Sequence, residues 1–132
     1  MTAVTCLMTG GAGYIGGHVA RRLQGAGHEV VILDDLSTGV RARVADLPLI
    51  QASLVADPDR LRATLTEHSV HGIIHLAAKK AVPESVEGPL YYYQQNVQGT
   101  IALMQAGGAG RCAVDAVLLQ RRGVRDLSLI HI

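Results

Sequence analysis

The sequence predicts an α/β fold, a doubly wound parallel sheet, and three observations carry the prediction. Apolar runs of strand length recur at Val4 to Thr9, Val30 to Leu33 and Gly72 to Ala78, each too continuous for a sheet face open to water. A helical pattern separates the first two runs, so the strands are joined by a crossover and run parallel. Three glycines, Gly10, Gly13 and Gly16, stand where the first run meets that helix.

Each of these glycines answers a separate steric demand. Gly10 lets the chain turn sharply, Gly13 carries no Cβ to block a pyrophosphate, and Gly16 lets the helix lie close on the strand. The helix beginning near Tyr14 presents its unpaired N–H groups and positive dipole end to such an anion. Ile15, Val19 and Leu23 recur every fourth residue and are expected to form its buried face, with Gly25 and Gly27 stopping it. The second strand, Val30-Val31-Ile32-Leu33, ends in Asp34-Asp35. An acid at that point, about 20 residues after the glycines, accepts hydrogen bonds from adenosine ribose hydroxyls and repels a 2′-phosphate, favouring NAD over NADP. Asp34, at the strand end, is the favoured ribose ligand; the other reading makes both acids the opening of a solvated turn with Ser37, Thr38 and Gly39.

The signal weakens from Arg41 to Pro48, after which Leu49-Ile50-Gln51 reads as a third, short strand. Asp57-Pro58 reads as a cap and first helical position, with Leu61 and Leu65 on one face. The fourth strand, Gly72 to Ala78, ends in small residues that leave room for a ligand at its carboxyl end. A further helix is expected after Pro89, with Val97, Ile101 and Met104 continuing its buried face.

Composition excludes other classes. At 48 % hydrophobic and net charge +1, the chain has neither the polarity of a disordered segment nor the basic surface of a nucleic-acid or membrane binder. The tyrosine run Tyr91-Tyr92-Tyr93 has no basic stripe around it and reads as helix packing, not base stacking. Two cysteines, Cys6 and Cys112, make no disulfide framework or metal spacing, and the only close histidine pair near a strand end, His71 and His75, lacks a third ligand, so no metal is expected. No leader and no apolar run near the roughly 20 residues of a membrane span is present, which leads us to expect a cytoplasmic protein.

Three blocks resemble a known family. They are Thr9-Gly10-Gly11-Ala12-Gly13-Tyr14-Ile15-Gly16; Asp34-Asp35-Leu36-Ser37-Thr38-Gly39; and His75-Leu76-Ala77-Ala78-Lys79-Lys80-Ala81-Val82-Pro83-Glu84-Ser85 with Pro89, Tyr91-Tyr92 and Asn96-Val97. Together they are similar to the NAD-dependent UDP-glucose 4-epimerases of the extended short-chain dehydrogenase/reductase group, over about Val4 to Ala106. The first two blocks are shared with sugar-nucleotide dehydratases and decarboxylases, and the third is more specific. The resemblance implies a Rossmann-like NAD domain in which Gly10, Gly13, Tyr14, Ile15 and Gly16 hold the pyrophosphate and Asp34, Asp35, Leu36 and Ser37 surround the adenosine. It implies that Leu76, Ala77, Ala78 and Lys80 line the nicotinamide half, with Asn96 hydrogen-bonding nearby. Where the family usually has Gly-Asp-Leu, this chain has Ala52-Ser53-Leu54, so Ser53 replaces the aspartate that addresses the adenine amino group, beside Leu54. A UDP-sugar substrate and a homodimeric full-length parent are implied as well. The rival readings are another sugar-nucleotide dehydratase or decarboxylase, and a non-catalytic NAD-binding regulator.

The likeness stops near Gln105. The family continues into a serine-rich fifth strand, then a catalytic tyrosine and, four positions on, a lysine; no tyrosine follows Tyr93 here, so no catalytic residue is present. Back-translated and read one base later, Val117 to Arg125 permits Phe-Ser-Ser-Ser-Ala-Ala-Val-Tyr-Gly, the family's next strand. Leu127 to Ile132 can be encoded by CTG TCT CTT ATA CAC ATC, a transposase mosaic end. The sequence therefore predicts a truncated NAD-binding domain over 1–106, lacking the substrate lobe, and a frameshifted tail over 107–132 with an adapter-like end over 127–132.

Overall fold

The computed structural model describes residues 2–108. β1 (Thr5–Thr9) runs into the glycine turn and α1 (Tyr14–Gly25), which returns the chain to β2 (Glu29–Asp34). A 3₁₀ turn (Arg41–Val44) leads to β3 (Leu49–Gln51), and α2 (Pro58–Glu67) crosses to β4 (Gly72–His75). Beyond it come α3 (Val82–Glu87), α4 (Pro89–Tyr93), a π-helical turn (Gln94–Gln98) and α5 (Gly99–Gly108).

The four strands form one parallel sheet in the order β3-β2-β1-β4. The chain steps outward from β1 to β3, then crosses back to lay β4 on the other side of β1. That reversal opens a crevice at the carboxyl ends of β1 and β4. Alternation along the strands feeds two apolar layers. Leu7, Val31, Leu33 and Ile73 pack with Leu61 and Leu65 of α2 and Leu103 of α5, whereas Met8, Val30 and Ile32 pack with Ala20 of α1 and Val44. Removing a side chain such as Leu7 or Ile32 from water contributes about 1.5–3 kcal/mol. The architecture is Rossmann-like, and the described residues supply part of such a domain.

Four expectations are corrected. The face of α1 that is buried consists of Gly16, Gly17 and Ala20; Val19 and Leu23 are half-buried and Ile15 is exposed. The helix lies so close to the turn that a Cβ on Gly16 would stand 2.6 Å from Gly11 Cα, so only glycine fits there. β4 ends at His75 instead of Ala78, since Leu76 N–H to Thr9 O, 3.0 Å, is the last ladder-like bond before the chain leaves the sheet. Asp57 precedes Pro58 as expected, but its carboxylate makes no helix-capping bond; it accepts the Ser53 N–H at 2.9 Å. Finally, Tyr92, Gly99, Leu103 and Gly107 are the buried positions of this helical stretch, and Val97 and Ile101 are exposed. The π-helical turn adds a residue and rotates the helix face, which a uniform 3.6-residue reading cannot anticipate. Of the three tyrosines only Tyr92 is buried, its hydroxyl within hydrogen-bonding distance of Ala81 N–H at 3.0 Å and Glu84 Oε2 at 2.8 Å.

The expected domain end at Ala106 falls inside α5, which runs on to Gly108. The remainder of the expected tail, 109–132, lies outside the described residues.

Candidate functional site

A crevice of about 430 Å³ opens at the carboxyl ends of the strands, within the roughly 300–1,000 Å³ of small-molecule sites. Its floor is the glycine turn. Gly10 adopts φ +71°, and a Cβ there would collide with Ala77 backbone at 2.7 Å; the residue both turns the chain and lets the segment after β4 approach. A Cβ on Gly13 would meet only Gly10 O, at 3.3 Å, and otherwise stand in open space. Gly13, Tyr14, Ile15 and Gly16 all line the crevice, so the N–H groups that an α-helix leaves without intrahelical partners open onto it.

Asp34 forms one wall. Buried at the end of β2, its carboxylate accepts Ala12 N–H at 3.0 Å and Leu36 N–H at 2.8 Å, fastening the glycine turn to the loop after the strand. The second bond closes a tight turn in which Leu36 sits at φ +59°, a conformation costing a non-glycine residue about 1–2 kcal/mol. Leu36 offsets that cost by tucking its side chain into the α1-side core, and it does not line the crevice. Asp35 does line it, exposed. Burial raises the Asp35 carboxyl, but hydrogen bonds from Ser37 and the nearby Lys79 ammonium outweigh that and hold it below the usual aspartate value.

The second wall comes from the segment after β3. Ser53 and Leu54 line the crevice. The Ser53 hydroxyl oxygen already accepts Val55 N–H at 3.3 Å and Ala56 N–H at 3.2 Å, so it has a proton to donate and no lone pair left to accept with.

The loop after β4 forms the third wall, with Leu76, Ala77, Ala78, Lys79 and Lys80 on the crevice. Asn96 is not on its lining. Its side chain instead grips the Lys79 peptide from both sides, accepting Lys79 N–H at 2.8 Å and donating to Lys79 O at 2.9 Å. Asn96 sits in the π-helical turn, whose C=O accepts the Thr100 hydroxyl at 2.6 Å. With its proton so used, Thr100 Oγ1 accepts from His75 Nε2 at 3.2 Å, leaving His75 Nδ1 to accept from Thr9 Oγ1 at 2.6 Å. Thus a buried neutral imidazole links β1, β4 and α5 beneath the crevice, and burial lowers its pKa to about 4. Among the described residues no group of three or more His, Cys, Asp or Glu is placed to hold a metal ion. Nor is any helix among them long and apolar enough to cross a membrane.

Of the residues singled out from sequence, all but Leu36 and Asn96 come together on this crevice. Sequence reasoning missed Leu33, Thr38, Gly39, Ala52, Lys79 and Gln95, which line it too. Gly39 had a signal in the turn-forming Ser37-Thr38-Gly39, where a Cβ would stand 2.9 Å from the Asp34 carboxylate. Lys79 had none, because side-chain reach across two loops leaves no local pattern.

Residues 6–120 match the NAD dependent epimerase/dehydratase family. The chain belongs to that family. This family member is 44 % identical over 110 residues to a UDP-glucose 4-epimerase of Klebsiella pneumoniae, covering 76 % of this chain and 77 % of the relative. It is 43 % identical over 107 residues to the Yersinia pestis UDP-glucose 4-epimerase, covering 76 % of this chain and 32 % of that protein. Among solved structures, the UDP-glucose 4-epimerase of Brucella ovis in complex with NAD superposes with TM-score 0.81 at 37 % identity, over 88 % of this chain and 35 % of that one. The epimerase/dehydratase chain thus spans about a third of the length of most such relatives.

Proposed function

We propose that this chain is the NAD-binding part of a UDP-glucose 4-epimerase, which interconverts UDP-glucose and UDP-galactose through a transient 4-keto sugar. The observation that carries the reading is the crevice itself, which joins an open glycine turn, helix N–H groups and a strand-end acid in one cavity. These groups fit a dinucleotide. The space over Gly13 admits the pyrophosphate, and Asp34 and Asp35 suit a ribose bearing free hydroxyls. Leu76, Ala77 and Ala78 would line the nicotinamide half, with Lys80 at the rim. Bound NAD would supply reversible two-electron oxidation at the sugar C4. The chain's own residues bind and orient; the proton-moving tyrosine and lysine that the resemblance places after a fifth strand have no counterpart in them, and we propose that the 132 residues as written are inactive alone.

The same reading includes a homodimeric parent. Leu90, Tyr93, Val97 and Ile101 line up along α4, the π-helical turn and α5 with 83 %, 69 %, 49 % and 48 % of their surfaces exposed, an apolar stripe suited to a second copy. A cytoplasmic location, and the tail over 107–132 as a frameshift ending in an adapter, remain parts of the proposal; an uninterrupted genomic read giving the same codons would remove the frameshift.

The test has two arms. Isothermal titration of the chain with NAD should give saturable 1:1 binding, and no heat would sink the cofactor assignment. The gene product extended through the corrected frame should interconvert UDP-glucose and UDP-galactose; release of water or carbon dioxide would move it to a dehydratase or decarboxylase.

Ser53 gives a gain-of-function prediction. Because its hydroxyl has no free lone pair, Ser53→Asp would supply an acceptor for the adenine amino group and retain the two local N–H bonds, a carboxylate having about four acceptor sites. One added hydrogen bond of about 1 kcal/mol tightens NAD binding about fivefold. Unchanged affinity would show that the adenine lies elsewhere.

A further inference from the structure

Lys79 spans the mouth of the crevice. Its ammonium donates to Ser37 Oγ at 2.7 Å, and Ser37 Oγ in turn donates to Asp35 Oδ1 at 2.7 Å. The chain ammonium, hydroxyl, carboxylate thereby joins the loop after β4 to the loop after β2, and all three residues line the cavity. Both anchors are fixed. The Lys79 peptide is held by the Asn96 amide, and Ser37 N–H is held by Asp35 Oδ1 at 2.9 Å. Consecutive charge-assisted bonds polarise one another, so the bridge is stronger than an isolated lysine–serine contact. The Lys79 ammonium also lies over the Tyr91 ring, with Nζ 6.0 Å from its centre.

We infer that Lys79, Ser37 and Asp35 form a clasp that closes over the dinucleotide and slows its release. This rests on the NAD reading above. A ligand stretched from the β2 acids to the loop after β4 runs beneath the bridge, so the Lys79–Ser37 bond opens to admit it and re-forms above it. The clasp is a positioning device whose Asp35 and Ser37 are exposed and whose Lys79 is half-buried, so salt weakens it.

The experiment is NAD release from the 132-residue chain by stopped-flow displacement, for the unmodified protein, Lys79→Met, Lys79→Arg and Ser37→Ala, at 20 mM and 500 mM salt. Lys79→Met should release NAD about tenfold faster at low salt, equivalent to about 1.4 kcal/mol, and lose the salt dependence that the unmodified chain shows. Lys79→Arg should restore most of the slow release, whereas Ser37→Ala, cutting the bridge from the other lip, should match Lys79→Met. A merely structural role for Lys79 would move the melting temperature and leave the salt dependence in place. Release from Lys79→Met and Ser37→Ala at the unmodified rate would overturn the clasp alone; absence of NAD binding by the unmodified chain would overturn the cofactor reading and the clasp with it.

Discussion

Gly16→Ala is expected to destabilise the domain by about 1–3 kcal/mol and to weaken NAD binding by at least about tenfold. The added Cβ would stand 2.6 Å from both Gly10 O and Gly11 Cα, and these are backbone atoms that no side-chain rotation can move aside. Relief requires α1 to slide away from the turn, which displaces the N–H groups at its start from the crevice. Gly25→Ala is the internal control. That glycine ends the same helix with nothing within 4 Å of a Cβ and without a positive φ, so alanine there should be neutral or stabilising by up to about 1 kcal/mol through the unfolded chain. Urea unfolding followed by circular dichroism, with NAD titration on the same samples, reads both effects. Equal midpoints for the two variants would show that the turn does not confine the helix.

Acidification from pH 6.5 to 4 is expected to remove about 3 kcal/mol of stability through His75. The sign follows from the two pKa values. Unfolded, the imidazole takes up a proton near 6.5; folded, burial lowers that to about 4. Between them the unfolded chain binds more protons, so stability is whole above 6.5 and is lost as pH falls toward 4. The geometry gives the reason, because the neutral ring with hydrogen on Nε2 satisfies both Thr9 and Thr100, and a second proton on Nδ1 removes the acceptor that Thr9 uses. His75→Asn, which retains one of these bonds without titrating, should begin less stable at pH 7.5 and lose less between pH 6.5 and 4. Parallel pH profiles for the two proteins would assign the acid sensitivity to other groups.

How much was readable beforehand depended on whether the physics was local. The glycine turn was legible because a positive φ, an unobstructed position at Gly13 and a helix pressed against a turn are each met by one residue type at one place. The strand core was legible too, since a strand covered on both faces must be continuously apolar, as in Val30 to Leu33. Ile15, Val97 and Ile101 were misread as buried for one shared reason: periodicity shows that a helix has an apolar face and says nothing about which neighbour covers it. On α1 the close approach selected small residues instead, and on the last helix the π-helical turn rotated the face.

The sequence by itself determined the α/β class, the glycine turn, the strand-end acid and the resemblance to the 4-epimerases, because chain-local sterics and spacing specify these. Only the tertiary structure decided that Asp34 fastens the turn to a strained Leu36, that Asn96 grips the Lys79 peptide from outside the crevice, and that Lys79 reaches across to Ser37. Those partners lie 17 to 42 residues apart, apart from the local Asp34–Leu36 bond, and meet only because the parallel strands deliver the segments that follow them to the same end of the sheet. A contact made by folding the chain back on itself leaves no periodic trace along it.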